Sequence, residues 1–287
     1  VTIGLSDYQF QLNDTGVLLN GNDSATPFVD VERVAGLDSP PFRETVRDHE
    51  GVDGGFIDAE FEKGREIVIE GTAYCDISSV EPFIDDLKAN YAPVTTPIPL
   101  YFKSSGVDER VIFVKPRGAR FDWETMRRLG MTAIQFLMYA EDPRIYTNSL
   151  SSTTINYGGD TGIGFAFSVA FSLDFGGGAT PGGANVTNDG NRPSPCVLTI
   201  TGPVINPVIY NNTTGNVIRF TIELAAMDTL TIDTGNRTVY LNGSINRRNT
   251  MTNPDWFFII PGVNQILYGG LTGTGSTLNV AFRSAWR

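Results

Sequence analysis

Histidine is almost missing from this chain of 287 residues: His49 is the only one. Any Ser-His-Asp or Cys-His catalytic set would have to use it. It lies in Asp48-His-Glu-Gly-Val-Asp-Gly-Gly55, dense in carboxylates and glycine, where a solvated loop histidine is the expectation. A metal would draw on Asp48, His49, Glu50 and Asp53. Their spacing matches no zinc pattern, and Asp53-Gly-Gly does not continue as an EF-hand loop, so no metal is expected. Cysteine is nearly as scarce. Cys75 and Cys196 stand far apart in what read as different domains, and two reduced thiols suit assembly in a cytoplasm better than a disulfide framework. Cations are outnumbered, 21 Lys and Arg against 32 Asp and Glu, and a net charge of −11 argues against a nucleic-acid-binding surface. No apolar run approaches the ~18–20 residues that span a bilayer. Val1-Thr-Ile-Gly-Leu-Ser-Asp has neither a charged n-region nor an apolar core, so no signal peptide is expected in it.

What is present is turn chemistry. Thirty-one glycines and sixteen prolines, with few helical patterns, point to a mainly β chain with room for two domains. Tyr8, Phe10 and Leu12 alternate into an Asn13–Gly16 turn and Val17-Leu-Leu19, an opening hairpin. Phe28–Val34 reads as a strand, Pro40-Pro41 as a break, and Glu44–Gly55 as a polar loop. Ile67, Ile69, Gly71 and Ala73 share one strand face. A single helix follows. Ser79 is its N-cap, Pro82 falls in its first turn, and Val80, Phe83, Ile84, Leu87 and Tyr91 form its apolar stripe. Strands resume at Leu100–Lys103, Val111–Lys115 and Gly118–Phe121. The stretch Glu124–Tyr139 is helical by propensity in its middle, but Ile134, Phe136 and Met138 alternate, and 131–140 reads as a strand.

Between the halves, Phe165-Ala-Phe-Ser-Val-Ala-Phe-Ser-Leu-Asp-Phe175 alternates over a length of about 36 Å if extended. It reads as a sandwich strand or an intersubunit arm, with Gly176–Gly183 as a hinge beyond it. From 185 on, strand and turn repeat at sandwich spacing. Leu230 and Ile232 face one way, and Thr229, Thr231 and Asp233 the other. Thr234-Gly-Asn236 reads as a three-residue turn, Val239 and Leu241 as the return strand, and Asn242-Gly243 as a further hairpin turn.

The order of pieces in this last hundred residues resembles the C-terminal domain of siphophage distal tail proteins. The matching pieces are Asn188-Asp-Gly-Asn191 with its nearby prolines, Ile200-Thr-Gly202, Thr213-Thr-Gly215 and Asp233-Thr-Gly-Asn-Arg-Thr-Val239. Trp256 ahead of Pro261-Gly262 and the closing Arg283-Ser-Ala-Trp286 complete the set. Gly64-Arg-Glu-Ile-Val-Ile-Glu-Gly71 before a helix, and a strand running into Asp142-Pro-Arg-Ile-Tyr146, resemble the N-terminal domain of the same family. The resemblance implies a mainly β protein of two β-sandwich domains. The first, 1–155, would be tail-tube-like, ring-forming and carry one helix. A Gly-rich linker, 156–184, would hold the alternating strand, and 185–287 would be galectin-like. It further implies a homohexamer at the tail tip of the virion, assembled in the host cytoplasm. The ring would join the tail-tube protein to the hub and the receptor-binding apparatus around a channel for DNA. An acidic lumen would repel DNA without binding it, and the Glu44–Asp58 loop is the candidate for its acids.

No catalytic, cofactor-binding or metal site is expected. Asp228 and Asp233 lie along one strand and read as hairpin-edge residues rather than the flanking acids of a glycosidase. Gly176–Gly178 is not followed by the Lys-Ser/Thr of a phosphate loop. Two rivals to the structural reading are a glycan-binding adhesin and a tail-tube subunit. Trp256 could stack on a sugar, but Trp256-Phe-Phe-Ile-Ile260 is continuous and apolar and reads as core.

Overall fold

Strand edges organise both halves of the chain. A computed structural model describes residues 4–21, 26–53, 55–158 and 182–287. The chain divides into two compact units, Val1–Asn148 together with Arg287, and Ser149–Trp286.

In the first unit β1 (Phe10–Leu12) and β2 (Leu18–Leu19) form the opening hairpin, and β3 (Phe28–Ala35) lies parallel to β2. The expected polar loop Glu44–Gly55 is instead the turn region of a hairpin, with residues 44–48 already strand: β4 (Phe42–Asp48) and β5 (Gly55–Glu62) pair antiparallel as a sheet of their own. The stretch Glu44–Gly55 shows no two-residue apolar alternation that would have marked a strand in sequence. β6 (Arg65–Tyr74) then alternates as expected, with Ile67, Ile69 and Ala73 buried.

α1 (Val80–Asn90) buries the predicted stripe of Val80, Phe83, Ile84 and Leu87. Tyr91, at its C-cap, stacks on Phe136 with 4.2 Å between ring centres. Ser79 occupies the N-cap position, but its side chain makes no capping bond, because a 3₁₀ turn at Ile77–Ser79 leads into the helix.

β7 (Ile98–Phe102) precedes β8 (Arg110–Phe121), a single strand where two were expected. Its first half pairs with β7. Its second half pairs with β9 (Met131–Ala140), and the register shifts between Pro116 and Gly118. Gly118 sits at φ 120°, a conformation side chains disfavour, so the bulge needs a glycine there. Because β9 also pairs with β6, the sequence of neighbours β8-β7-β1-β2-β3-β6-β9 returns to β8 and the sheet closes. Leu100, Ile112, Val114, Ile134, Phe136 and Met138 line its core. β10 (Ile145–Thr147) adds to β8 at Arg110 and Val111.

One helix was expected here; there are two. α2 (Trp123–Leu129) begins at Asp122, whose carboxylate accepts from the N–H groups of Glu124 and Thr125, both at 3.1 Å. It ends at Gly130 with φ 69°, a left-handed C-cap. Seven residues are too short for a periodic signal, yet both caps were legible.

The second unit begins earlier than the expected boundary at 155. β11 (Ser151–Asn156) hydrogen-bonds along its whole length to a strand of this unit, β23 below. The alternating segment 165–175 lies outside the described residues, and so does the hinge up to 181. Gly182 and Gly183 open β12 (Gly182–Asn188). Then come β13 (Cys196–Thr201), β14 (Val204–Ile205), β15 (Val208–Asn211), β16 (Asn216–Phe220), β17 (Glu223–Leu224), β18 (Thr229–Asp233), β19 (Thr238–Leu241), β20 (Ile245–Asn246), β21 (Met251–Pro254), β22 (Gly262–Gly269) and β23 (Thr277–Phe282). One sheet runs β11-β23-β13-β18-β19-β20 and the other β12-β22-β15-β16-β21. Leu198, Ile200, Leu230, Ile232, Leu278 and Val280 from the first meet Val186, Ile209, Ile218, Phe220, Ile266 and Tyr268 from the second. Each such side chain contributes about 1.5–3 kcal/mol by leaving water, and together they hold the sandwich.

The β18–β19 connection is longer than the predicted three-residue turn. Asp233 pairs with Thr238, and the residue with positive φ is Arg237, at 55°. Asn242 and Gly243 do form the next turn, at φ 51° and 75°.

Cys75 is buried in the first unit and Cys196 in the second, both as free thiols. Burial pushes the Cys196 thiol up to about 12, opposed by its contact with the Thr234 hydroxyl at 3.6 Å. At pH 8 the thiolate fraction is therefore minute, and the sulfur is also shielded. A thiol-titrating reagent should detect neither cysteine in the native protein and both in denaturant; rapid native reaction at Cys196 would contradict this core.

Candidate functional site

Asp48–Asp53, where a histidine and three acids had gathered, is the turn of the β4–β5 hairpin. His49, Glu50 and Asp53 are exposed there. Among the described residues no three His, Cys, Asp or Glu side chains converge as a metal site, and no helix is long and apolar enough to cross a membrane.

The two aspartates weighed as a pair close separate turns. Asp228 lies just before β18. It accepts from Asn242 Nδ2 at 2.9 Å and from the N–H of Ala225 at 3.0 Å, and these bonds hold its carboxyl below the usual range. Asp233 ends β18 and accepts from the N–H groups of Gly235 and Asn236, both at 2.9 Å, and from Asn236 Nδ2 at 2.7 Å. Each is spent on holding a backbone turn. Trp256 is half-buried against the sandwich core, between exposed Asp255 and buried Phe257, and the Arg248 guanidinium lies 5.8 Å from its ring centre. The ring packs against protein on its inner side, as the apolar run predicted.

Asp142-Pro-Arg-Ile-Tyr146 forms a tight corner. The Tyr146 hydroxyl donates to Asp142 Oδ2 at 2.6 Å, and Arg144 donates to the same carboxylate through its backbone N–H at 3.1 Å and its Nη1 at 3.2 Å. Burial, then the charge of Asp142, holds the Tyr146 phenol well above its ordinary range. The motif therefore turns the chain from β9 into β10, where the first unit ends.

What the sequence reading missed is a surface. Lys115, Arg117, Arg120, Arg127 and Arg128 fall within fourteen positions of an acidic chain, on β8 and α2. Lys115 pairs with Glu141 at 2.6 Å, Arg117 with Glu66 at 3.5 Å, and Arg127 with Glu81 at 2.9 Å. Beside them a groove of about 640 Å³ is lined by Glu81, Lys88, Ala119, Arg120, Phe121 and Trp123. Reading 110–121 as two strands and overlooking α2 hid this grouping, since the cations converge only once both elements are placed.

Replacing Asp142 by Ala should cost about 1–3 kcal/mol, the penalty for leaving the hydroxyl of buried Tyr146 without its acceptor. Urea unfolding of the variant against the parent measures it; an unchanged midpoint would show that the corner does not depend on this bond.

Comparison with known proteins follows the same division. Residues 189–286 match the family model described as the siphovirus-type tail component, C-terminal domain. No curated protein sequence matches the chain. Among solved structures, the Dit (gp 19.1) protein of phage SPP1, described as a paradigm of the hub adsorption apparatus in phages infecting Gram-positive bacteria, is similar with a TM-score of 0.65 at 14% identity, covering 96% of this chain and 98% of that one. A chain of the phage P2 baseplate in its activated, calcium-bound conformation is similar with a TM-score of 0.53 at 11% identity, over 96% and 98% of the two chains. At such identities the likeness is one of fold, and it extends through both units. What the comparisons show is thus a match to the siphovirus-type tail component, C-terminal domain, over residues 189–286, and a likeness of fold over both units.

Proposed function

We propose that the protein is a structural component of a phage tail tip, a distal tail adaptor that forms a homohexameric ring. The observation that carries this reading is the coverage of the Dit-like fold: both units align, end to end, with a tail protein of the same length class. In this reading the first unit forms the ring, stacking on the tail tube on one side and joining the hub on the other. The second unit carries receptor-binding or other tip proteins. The protein works by fitting surfaces together and performs no catalysis. Its place is the virion tail, after assembly in the host cytoplasm.

The net charge of −11 supports a channel that DNA can traverse, because like charge repels the phosphate backbone. A tail-tube subunit has no use for the sandwich 182–286. For a glycan adhesin, Trp256 would have to present its ring, and it is packed against the core.

The test is the mass of the purified chain in solution, with negative-stain images of the same sample. A species of six times 31.2 kDa, seen as six-fold rings with an open centre, is the expected result. Long tubes would replace the adaptor by the tube subunit. A species that stays at 31.2 kDa and binds cell-wall glycan would replace it by the adhesin.

A further inference from the structure

Of the cations on residues 115–128, Lys115, Arg117 and Arg127 each have an acid of the same copy. Arg127 does more. Its Nε meets the Glu81 carboxylate at 2.9 Å, and its guanidinium covers one face of the Trp123 ring, 4.6 Å from the ring centre. Arg120, and Lys88 from α1, remain exposed and without an ion-pair partner among the described residues. In a chain of 32 acids and 21 cations an acid is easy to find, so two neighbouring cations without one stand out. Both line the same groove, whose volume of about 640 Å³ lies within the range of clefts that receive ligands. Glu81 is the one acid in its lining, and Arg127 already neutralises it. Asp85, one turn before Lys88 on α1, does not line it.

The rest of the lining is apolar. Trp123 is 43% exposed, and Ala119 and Phe121 lie beside it. A cation already rests on one face of the indole, so the other face is a poor seat for a second cation and a good one for an aromatic or aliphatic side chain. The Arg120 guanidinium can hold a carboxylate through two parallel N–H bonds, and Lys88 adds a second positive point. The chemistry that fits is therefore an apolar side chain flanked by carboxylates.

We propose that the Lys88–Arg120–Trp123 groove is the docking site for an acidic segment of a different tail protein. That segment sets an apolar or aromatic side chain on the open face of Trp123 and turns its carboxylates to Lys88 and Arg120. Exposed ion pairs are individually weak, so the apolar contact supplies the adhesion and the charges supply orientation and rate. DNA fits the groove less well. Two cations displace too few counterions to hold a duplex, and the net charge of −11 repels it at longer range. A second copy of the chain would approach against its own charge of the same sign. The inference rests on the adaptor reading, in which other tail proteins are the partners, and it names where on the first unit one of them is received and by what chemistry.

Two fluorescein-labelled peptides test it on the full chain at low salt: one that alternates Glu with Phe, and its counterpart with Gln in place of every Glu. Fluorescence anisotropy should show the Glu peptide binding about tenfold more tightly than the Gln peptide. Arg120→Glu should weaken the Glu peptide by about tenfold, and Arg120→Gln by less. Arg237→Glu makes the same change of net charge at an exposed residue of the second unit, and should leave binding unchanged. Trp123→Ala keeps both cations and should weaken the two peptides alike. Equal binding of the two peptides, or an equal loss with Arg237→Glu, overturns the groove. A labelled thymidine oligonucleotide that binds as tightly as the Glu peptide and is lost with Arg120→Glu overturns it in favour of nucleic acid. A fall in the solution mass of the chain with Arg120→Glu overturns it in favour of a second copy. Six-fold rings without peptide binding sink this inference alone, and peptide binding by a chain that stays at 31.2 kDa sinks the hexamer alone.

Discussion

Every strand at the margin of a sheet exposes a row of N–H and C=O groups, and where those rows are closed or left open governs this protein. In the first unit closure depends on one strand. β8 serves two neighbours in turn, β7 through Val114 and β9 from Lys115, and just past that change its register with β9 shifts at the Pro116–Gly118 bulge. Proline has no N–H to offer a ladder and Gly118 takes a φ that other residues resist, so the two sit where regular pairing must stop. With that bulge in place β9 can pair with β6 as well, and the sheet returns on itself. The β4–β5 hairpin is left out of this closure. The second unit solves the same problem by stacking two sheets face to face, so that alternate residues of β13, β18 and β23 are sealed from water.

How much of this could be read beforehand depended on whether a segment buries one face. β6, β9 and β18 do, and their two-residue alternation placed both the strands and their inward residues. α1 does so with its stripe ending at Tyr91. The start of β4 gave no such signal: Phe42, Arg43 and Glu44 are all exposed, and the stretch Glu44–Gly55 has no two-residue alternation of apolar side chains. α2 failed for a different reason. Two turns of helix cannot establish a 3.6-residue period, and only its end signals, Asp122 and Gly130, were available. The groove then stayed hidden, because Lys88, Arg120 and Trp123 approach only through tertiary packing. The hairpin after β18 came out one residue longer than expected because Asp233 spends its carboxylate on Gly235 and Asn236, which moves the left-handed position on to Arg237.

The shifted ionisable groups tell the same story from the side of energetics. Clusters of perturbed groups in a cleft often mark a working site, since chemistry needs tuned acids and bases. Here the displaced groups are scattered, and each has a packing or turn-closing explanation. Tyr91 is raised by burial beside Phe136, Cys196 by burial with Thr234 alongside, and Tyr268 by burial, to about 12, with Ser276 as its partner. Asp228 is lowered by the Asn242 bond that closes a hairpin. These displacements describe how the two cores and their turns are built.

Beyond the acids that hold turns, such as Asp228 and Asp233, the surface charge pattern is uneven. Acids exceed bases over the whole chain, yet residues 115–128, on β8 and α2, collect five cations. Three of these neutralise acids of the same copy. An excess of acid repels other acidic surfaces at long range, and a local concentration of base is where an acidic surface is favoured instead. Charge arranged in that way contributes orientation and rate to an encounter more than raw affinity.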